Sequence, residues 1–441
     1  MIRKLAYSLG GLAVSLPASV FTTYAIFFYV DVVKLPVYLA GIAMLVYAVW
    51  NLLSDPLAGL LSDRTRSPYG RRLPYLAFGL IPFGLAFFLL WVPLFRGIEQ
   101  YKLLFLYFLC LVCLFEGLYA IIGINWASLF PEMYRGLKER VEVNSFRQFF
   151  GLLGIALGIG LPPVFYSRWG WGAMGAFFAA VLLISLFLSL LASRERVEFS
   201  RAPRLPVLRS LKACLANRSF LTFAAANFFV QYALLTILAA TPFYAKYVLK
   251  AAPDALTFIL GVGFLAALPM LFFWRRLAKM AGAKIIFLAA LLLLALSLAQ
   301  LFYITNLNDR VAWTAVLIGA AIAGYLLVAD VLLADIIDED EVTTGLRREG
   351  TYFGLNTLIT RCSVGLEAVS LGAVLLRFGY NPYIYTQPRT LAAGLRLLIA
   401  GLPIAALVLG AAVFLFYPLS GRKLKTMREK LAELHAEKGV S

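Results

Sequence analysis

"VYAVWNLLSDPLAGLLSDRTRSPYGRRLPYL", residues 46–76, decides how the rest of the chain reads. An apolar run carries one carboxylate, Asp55, just ahead of Pro56-Leu57-Ala58-Gly59-Leu60-Leu61. A second acid, Asp63, then arrives with Arg64, Arg66, Arg71 and Arg72. An ionisable group inside hydrocarbon costs several kcal/mol, so a chain that keeps one there marks an ion or solute pathway. The arginines behind it mark the cytoplasmic end of the span, since basic residues hold that side.

The composition generalises the pattern. Of 441 residues, 62% are hydrophobic and 14% charged, with a mean hydropathy of +0.85. Soluble domains are about half apolar and a quarter charged, so this is the composition of a membrane protein. A span needs about 20 mostly apolar residues. Twelve stretches qualify, near 10–30, 37–61, 73–95, 103–130, 145–166, 171–193, 219–246, 255–274, 283–305, 311–334, 351–376 and 391–418. No cleavable signal peptide is expected, because the first apolar run continues into a full span.

The net charge of +17 would suit nucleic acid, but its distribution does not. Lys and Arg concentrate in the loops on the side of both termini, which an even span count places in the cytoplasm. The surplus is an orientation signal and an attraction to anionic lipid headgroups, and no nucleic-acid partner is expected. Cys110, Cys113, Cys214 and Cys362 form no metal or disulfide framework, and the single histidine, His435, lies in the tail. With no HExxH and no legible nucleophile–base pair, no enzyme and no cofactor are expected.

The expected fold is an all-α membrane protein with twelve transmembrane helices in two six-helix halves. The halves cover residues 1–193 and 219–418, joined by a cytoplasmic linker over 194–218 and followed by a basic cytoplasmic tail over 419–441. The halves echo each other: span 2 leads into "SDRTRSPYGRR" and span 8 into "WRRLAKMAGAK". The tail, "GRKLKTMREKLAELHAEKG", reads as a basic amphipathic helix along the inner leaflet or as a solubilising tail.

The charges within spans that stand out as candidates are Asp55, Glu116, Arg147, Arg361 and Glu367. Asn51 and Asp55, four apart, share a helix face, and Ser54 adds a hydroxyl beside them. Amide, hydroxyl and carboxylate oxygens are hard donors suited to a small cation. A lone buried carboxylate can instead take a proton. Asp55 can also simply pair with Arg361. In the loop, Asp63 with Arg64, Arg71 and Arg72 can clamp neighbouring helix ends through forked hydrogen bonds, a gating role. Tyr119, Asn125 and Trp126 cluster on span 4, where Trp126 offers an aromatic platform or packs against other helices.

Four blocks in order resemble one family: "FFYVDVVKLP", "NLLSDPLAGLLSDRTRSPYGRRLP", "NWASLFPEMYRGLKERVEVNSFRQFFG" and "LLADIIDEDEVTTGLRREGTYFGLNTLITR". They are similar to the glycoside-pentoside-hexuronide:cation symporters, the melibiose permease-like branch of the major facilitator superfamily. The resemblance implies a sugar or glycoside symporter working by alternating access, coupled to sodium or protons, with a small-molecule substrate and a monomeric state in an inner or plasma membrane. It places the cation at Asn51, Ser54 and Asp55, where Asn51 stands for a carboxylate of the family pattern. It places Arg361 at the basic position facing that site. Asn356 and Thr357 fall among the polar positions lining the sugar pocket, and Arg147 falls within one residue of a sugar-contacting position. An inner-end salt bridge is the rival role for Arg147.

Ser15 and Gly123 occupy the positions of the two acids that bind galactosyl hydroxyls. The usual galactoside recognition is therefore not expected, and Glu116, two turns deeper on about the same face as Gly123, compensates only in part. A lysophospholipid-like or other amphiphilic solute becomes an alternative cargo. A transport-fold sensor or scaffold is a second alternative. Asp335, Asp338 and Glu341 match an inner acidic patch, and with Lys138 and Arg140 of another inner loop they are expected to gate.

Overall fold

The computed structural model describes residues 1–65, 67, 70–95, 98–134, 137–195, 212, 214–307, 309–345, 348–384 and 386–437. Among the described residues every regular element is helical. In chain order the long helices are α1 (Ile2–Val32), α2 (Val37–Arg64), α3 (Leu73–Leu90), α4 (Tyr101–Met133), α5 (Leu137–Gly160) and α6 (Pro162–Ala192). They continue as α7 (Arg218–Leu249), α8 (Pro253–Ala281), α9 (Ala283–Gln300), α10 (Asp309–Thr344), α11 (Glu349–Arg377) and α12 (Arg389–Leu415). A tail helix, α13, covers Gly421–Glu437.

Eleven of these helices are long and apolar enough to cross a bilayer by length and composition. The remaining long helix of the core, α5, opens with the charged run Leu137–Arg147, which lowers its mean hydropathy. The sequence placed the fifth span at 145–166, but the helix ends at Gly160, and Pro162 and Pro163 start α6. Proline is tolerated in a first helical turn because its missing N–H has no intrahelical partner there. α2, with 28 residues, is about 40 Å long at 1.5 Å per residue. That exceeds a hydrocarbon core of about 30 Å, so the end bearing Asp63 and Arg64 can reach the headgroups.

The echo between the two halves survives in the backbone. Gly70 in "SDRTRSPYGRR" has φ 98°, and Gly282, at the same offset in "WRRLAKMAGAK", has φ 84°. Both glycines take a positive φ just ahead of a new helix, which glycine adopts without steric cost.

The chain divides into two compact units. The first comprises Met1–Ala202 with Leu238–Gly261 and Ala368–Gly394. Here α1 packs on α5 and α6, α2 on α4, and α3 on α4 and α6. Small residues let backbones approach: a Cβ on Gly11 would stand 2.6 Å from the Arg147 carbonyl oxygen, and one on Gly158 2.7 Å from that of Leu16. In lipid, where water does not drive helices together, such close packing is a main source of association. The second unit comprises Pro203–Ile237, Val262–Glu367 and Leu395–Ser441. Within it α9 packs on α10 and α12, and the tail helix packs on α10.

Candidate functional site

The carboxylate-bearing face of α2 meets α4. Trp50 donates its indole N–H to the Cys113 carbonyl at 2.9 Å. One helical position on, the Asn51 amide donates to Glu116 Oε1 at 2.7 Å, and the Ser54 hydroxyl donates to the same oxygen at 3.2 Å. Cys113 and Glu116 are three apart and share a face, as do Trp50 and Ser54, so these bonds set one register between the helices. Trp50 also lies over Gly117, where a Cβ would stand 3.5 Å from Trp50 Nε1, an ordinary contact distance.

The group is dry: Glu116 is 1% exposed, Ser54 3% and Asn51 6%. Asp55, next to Ser54, is half-buried. Pro56 lies inside α2 and has no N–H to give the Leu52 carbonyl four residues back. That carbonyl oxygen loses its intrahelical donor beside Asn51, Ser54 and Asp55. Backbone oxygens released in this way within a membrane are satisfied by neighbouring groups or by ligands. Asp55 belongs to the first unit and Arg361, half-buried on α11, to the second.

The positions expected to touch substrate fall into two groups. In the first unit, Ser15 lies on α1 against α5, where a Cβ on Gly151 would sit 3.5 Å from its hydroxyl. A Cβ on Gly123 would meet nothing within 4 Å, so this position borders open space. Tyr119 is half-buried with its ring near Phe83 and Phe115. Trp126 is enclosed. Its ring stacks on Tyr7 at 5.6 Å, its N–H donates to Ser189 Oγ and to the Tyr7 carbonyl, and the Arg147 guanidinium lies 4.4 Å over it. Arg147 is equally 4.4 Å from Phe130, so one cation serves two ring faces. Gly10 is what admits Trp126, since a Cβ there would fall 2.2 Å from Trp126 Nε1.

In the second unit, Asn356 accepts from the Asn227 amide at 3.1 Å, the Tyr325 hydroxyl donates to Asn227 at 2.5 Å, and Gln231 donates to Tyr325 at 3.2 Å. Thr357 is exposed next to this chain of polar groups. Asn227, Gln231 and Tyr325 were absent from the sequence-based candidates. The signal for Asn227 and Gln231 was available, as amides inside otherwise apolar α7, whereas Tyr325 on α10 carries no such mark.

Of the expected gating residues, Arg71 and Arg72 are tied through their backbone and Asp335 through an ion pair. The Glu195 carboxylate, contributed by the start of the linker, accepts from the backbone N–H of Arg71 at 2.8 Å, Arg72 at 2.8 Å and Leu73 at 3.2 Å. An anion at these N–H groups caps α3 and matches its dipole. Glu195 was not among the sequence-based candidates. On α10, Asp335 pairs with Arg428 at 2.9 Å and Glu339 with Lys423 at 2.8 Å, both from the tail helix, while Asp340 accepts Arg348 at 3.0 Å. Asp338 is half-buried and Glu341 buried on the same helix. The side chains of Asp63, Arg64, Lys138 and Arg140, and linker residues 196–211, lie outside the described residues.

A third constellation, also missed, joins the far ends of the spans in the first unit. Asp31, 2% exposed, accepts hydrogen bonds from Lys246, Tyr247 and Tyr380, the last at 2.7 Å. The Tyr380 phenol is pushed well above its ordinary pKa, first by burial and then by the Asp31 carboxylate, so it stays a donor.

Buried, hydrogen-bonded acids on apolar helices mark ion or solute pathways through a membrane. The chain belongs to the MFS/sugar transport protein family, which it matches over residues 6–421. It is 26% identical to an uncharacterized symporter of Synechocystis sp., over 97% of this chain and 96% of that protein. It is also 26% identical to the isoprimeverose transporter of Lactiplantibacillus pentosus, over 99% and 92% of the two chains. The putative glycoside/cation symporter YagG of Escherichia coli is again 26% identical, over 100% and 96%. The fold is similar to that of a nucleoside transporter, NupG, solved as a point mutant, with a TM-score of 0.69 and 14% identity over 94% of this chain and 100% of that one. The protein is therefore a multi-pass transporter of a small molecule, with the twelve-helix major facilitator fold.

Proposed function

We propose that the protein is a cation-coupled symporter of a sugar or glycoside that works by alternating access. The cation, sodium or a proton, is held at Asn51, Ser54 and Asp55. The observation that carries this reading is the oxygen-rich face of α2, dry at Asn51 and Ser54, with a carboxylate and a proline-freed carbonyl one turn apart. A cation resident there favours one conformational state, and coupling follows if the sugar favours the same state. The neutral amides and phenol of Asn227, Asn356, Gln231 and Tyr325 suit hydroxyl-rich cargo, because each both donates and accepts. The names of the symporter relatives support the same assignment. In this reading the carrier is a monomer in an inner or plasma membrane, with both termini cytoplasmic and the basic inner loops on anionic lipid.

The test is uptake into proteoliposomes with isoprimeverose and simple glycosides as probes, under an imposed sodium or proton gradient. Accumulation above the external concentration under one gradient supports symport. Equilibration alone, unaffected by either gradient, overturns it. A second reading, a carrier of lysophospholipid-like solutes, is favoured by Ser15 and Gly123, which leave the two acid positions without carboxylates and one of them bordering open space. Displacement of a labelled lysolipid but of no glycoside would select it.

A further inference from the structure

The geometry points to Glu116 of α4 as the second carboxylate of the cation site. This rests on the cation-site reading above and deepens it. α2 carries a single acid in the site, Asp55, with an amide at Asn51 one turn earlier. Glu116 approaches that amide from the neighbouring helix, 65 positions away in sequence, and takes hydrogen bonds from both Asn51 and Ser54 on one oxygen, Oε1. Two expected cation ligands thus already converge on its carboxylate. At 1% exposure it belongs to the same dry compartment. A small monovalent cation stripped of water needs several hard oxygens, and its affinity rises with the number of charged ones. With Glu116 the site would offer two carboxylates, a hydroxyl, an amide oxygen after rotation of Asn51, and the Leu52 carbonyl.

The rival role is a structural clip between α2 and α4. Glutamine would serve a clip equally well, because its amide oxygen can accept the same two hydrogen bonds. Trp50 already bonds α4 independently. A cation ligand, by contrast, needs the charge.

The experiment measures thermal unfolding of the purified full-length protein as NaCl replaces choline chloride at constant ionic strength. It compares wild type with Glu116→Gln, Asp55→Asn and the double variant Glu116→Gln/Asn51→Asp. The double variant moves the acid from α4 to α2 while keeping an amide–carboxylate hydrogen bond. Glu116→Gln is expected to weaken the apparent sodium affinity by about tenfold or more, the scale of losing a charged oxygen donor or its support. The double variant is expected to recover the sodium response. A wild-type response in Glu116→Gln, alongside its loss in Asp55→Asn, overturns the role of Glu116 and leaves the α2 site standing. No sodium response in wild type overturns the sodium ligand and moves the α2 site to the proton test above. If Glu116→Gln does not fold, the double variant decides: a sodium response supports the proposal, and its absence, or a failure to fold, overturns it.

Discussion

Asp31 and Lys246 stand at matching places in two copies of one sequence pattern, and they form an ion pair. Phe28-Tyr29-Val30-Asp31 closes α1 and Phe243-Tyr244-Ala245-Lys246 closes α7. Each copy ends in a widened, π-type turn, Phe28–Val32 and Ala245–Leu249, and each then reaches a lysine in the left-handed region, Lys34 (φ 72°) and Lys250 (φ 51°). The repeat put an acid in one copy and a base in the other, so its two ends attract.

Asp31 is buried with three donors around it, whereas the Lys246 side chain is 49% exposed. Asp31→Ala strands those donors and is expected to cost about 3 kcal/mol. Lys246→Ala removes a group that water partly solvates, at a cost of about 1 kcal/mol or less. Denaturant or thermal unfolding of the two variants in detergent checks the order. Equal losses would mean that Asp31 does not organise the cluster.

Gly10→Ala tests the knot around Trp126. The new methyl would collide with Trp126 Nε1 and with Ser189 Oγ, 2.2 and 2.8 Å from its ideal position. Overpacking of this kind costs about 1–3 kcal/mol. The indole N–H must also leave Ser189 and the Tyr7 carbonyl. The expected outcome is a lowered melting temperature with a shift in tryptophan emission. An unchanged spectrum would show that the helices part without disturbing the ring.

The spans and the basic loops were legible because hydropathy and charge are local properties of the sequence. The face bearing Asn51, Ser54 and Asp55 was legible because it lies within one helix. Its partner, Glu116, stood out as a charge in a span, but no local rule brings it to Asn51 across 65 positions. Asp31 was quoted in a family block and still received no role, because its burial depends on how α1 and α7 end. Glu195 sits at the edge of a polar linker and looks solvated until the N-terminus of α3 turns toward it.

Glu195→Ala should loosen that turn. Three backbone N–H groups at the start of α3 lose their acceptor, at a cost of about 1–2 kcal/mol. Limited proteolysis of residues 65–72 should quicken relative to wild type. Protection equal to wild type would show that other groups cap the helix.

Glu367 is 5% exposed, and its Oε1 has no hydrogen-bond partner among the described residues. Burying such an acid is a cost that an amide of the same shape reduces. Glu367→Gln is therefore expected to leave the melting temperature unchanged or to raise it by a few degrees, an effect of about 1 kcal/mol. A marked fall would assign the acid a partner or a ligand.

The tail helix touches α10 through two cations that remain largely in water, Lys423 and Arg428 at 54% and 59% side-chain exposure. Bonds of that kind weaken as ionic strength rises, with a screening length of about 8 Å in physiological salt. Any mobile anion draws on the same two cations. Ionic strength thus competes with Asp335 and Glu339 for one helix, and a contact kept in dilute buffer is one that concentrated salt contests.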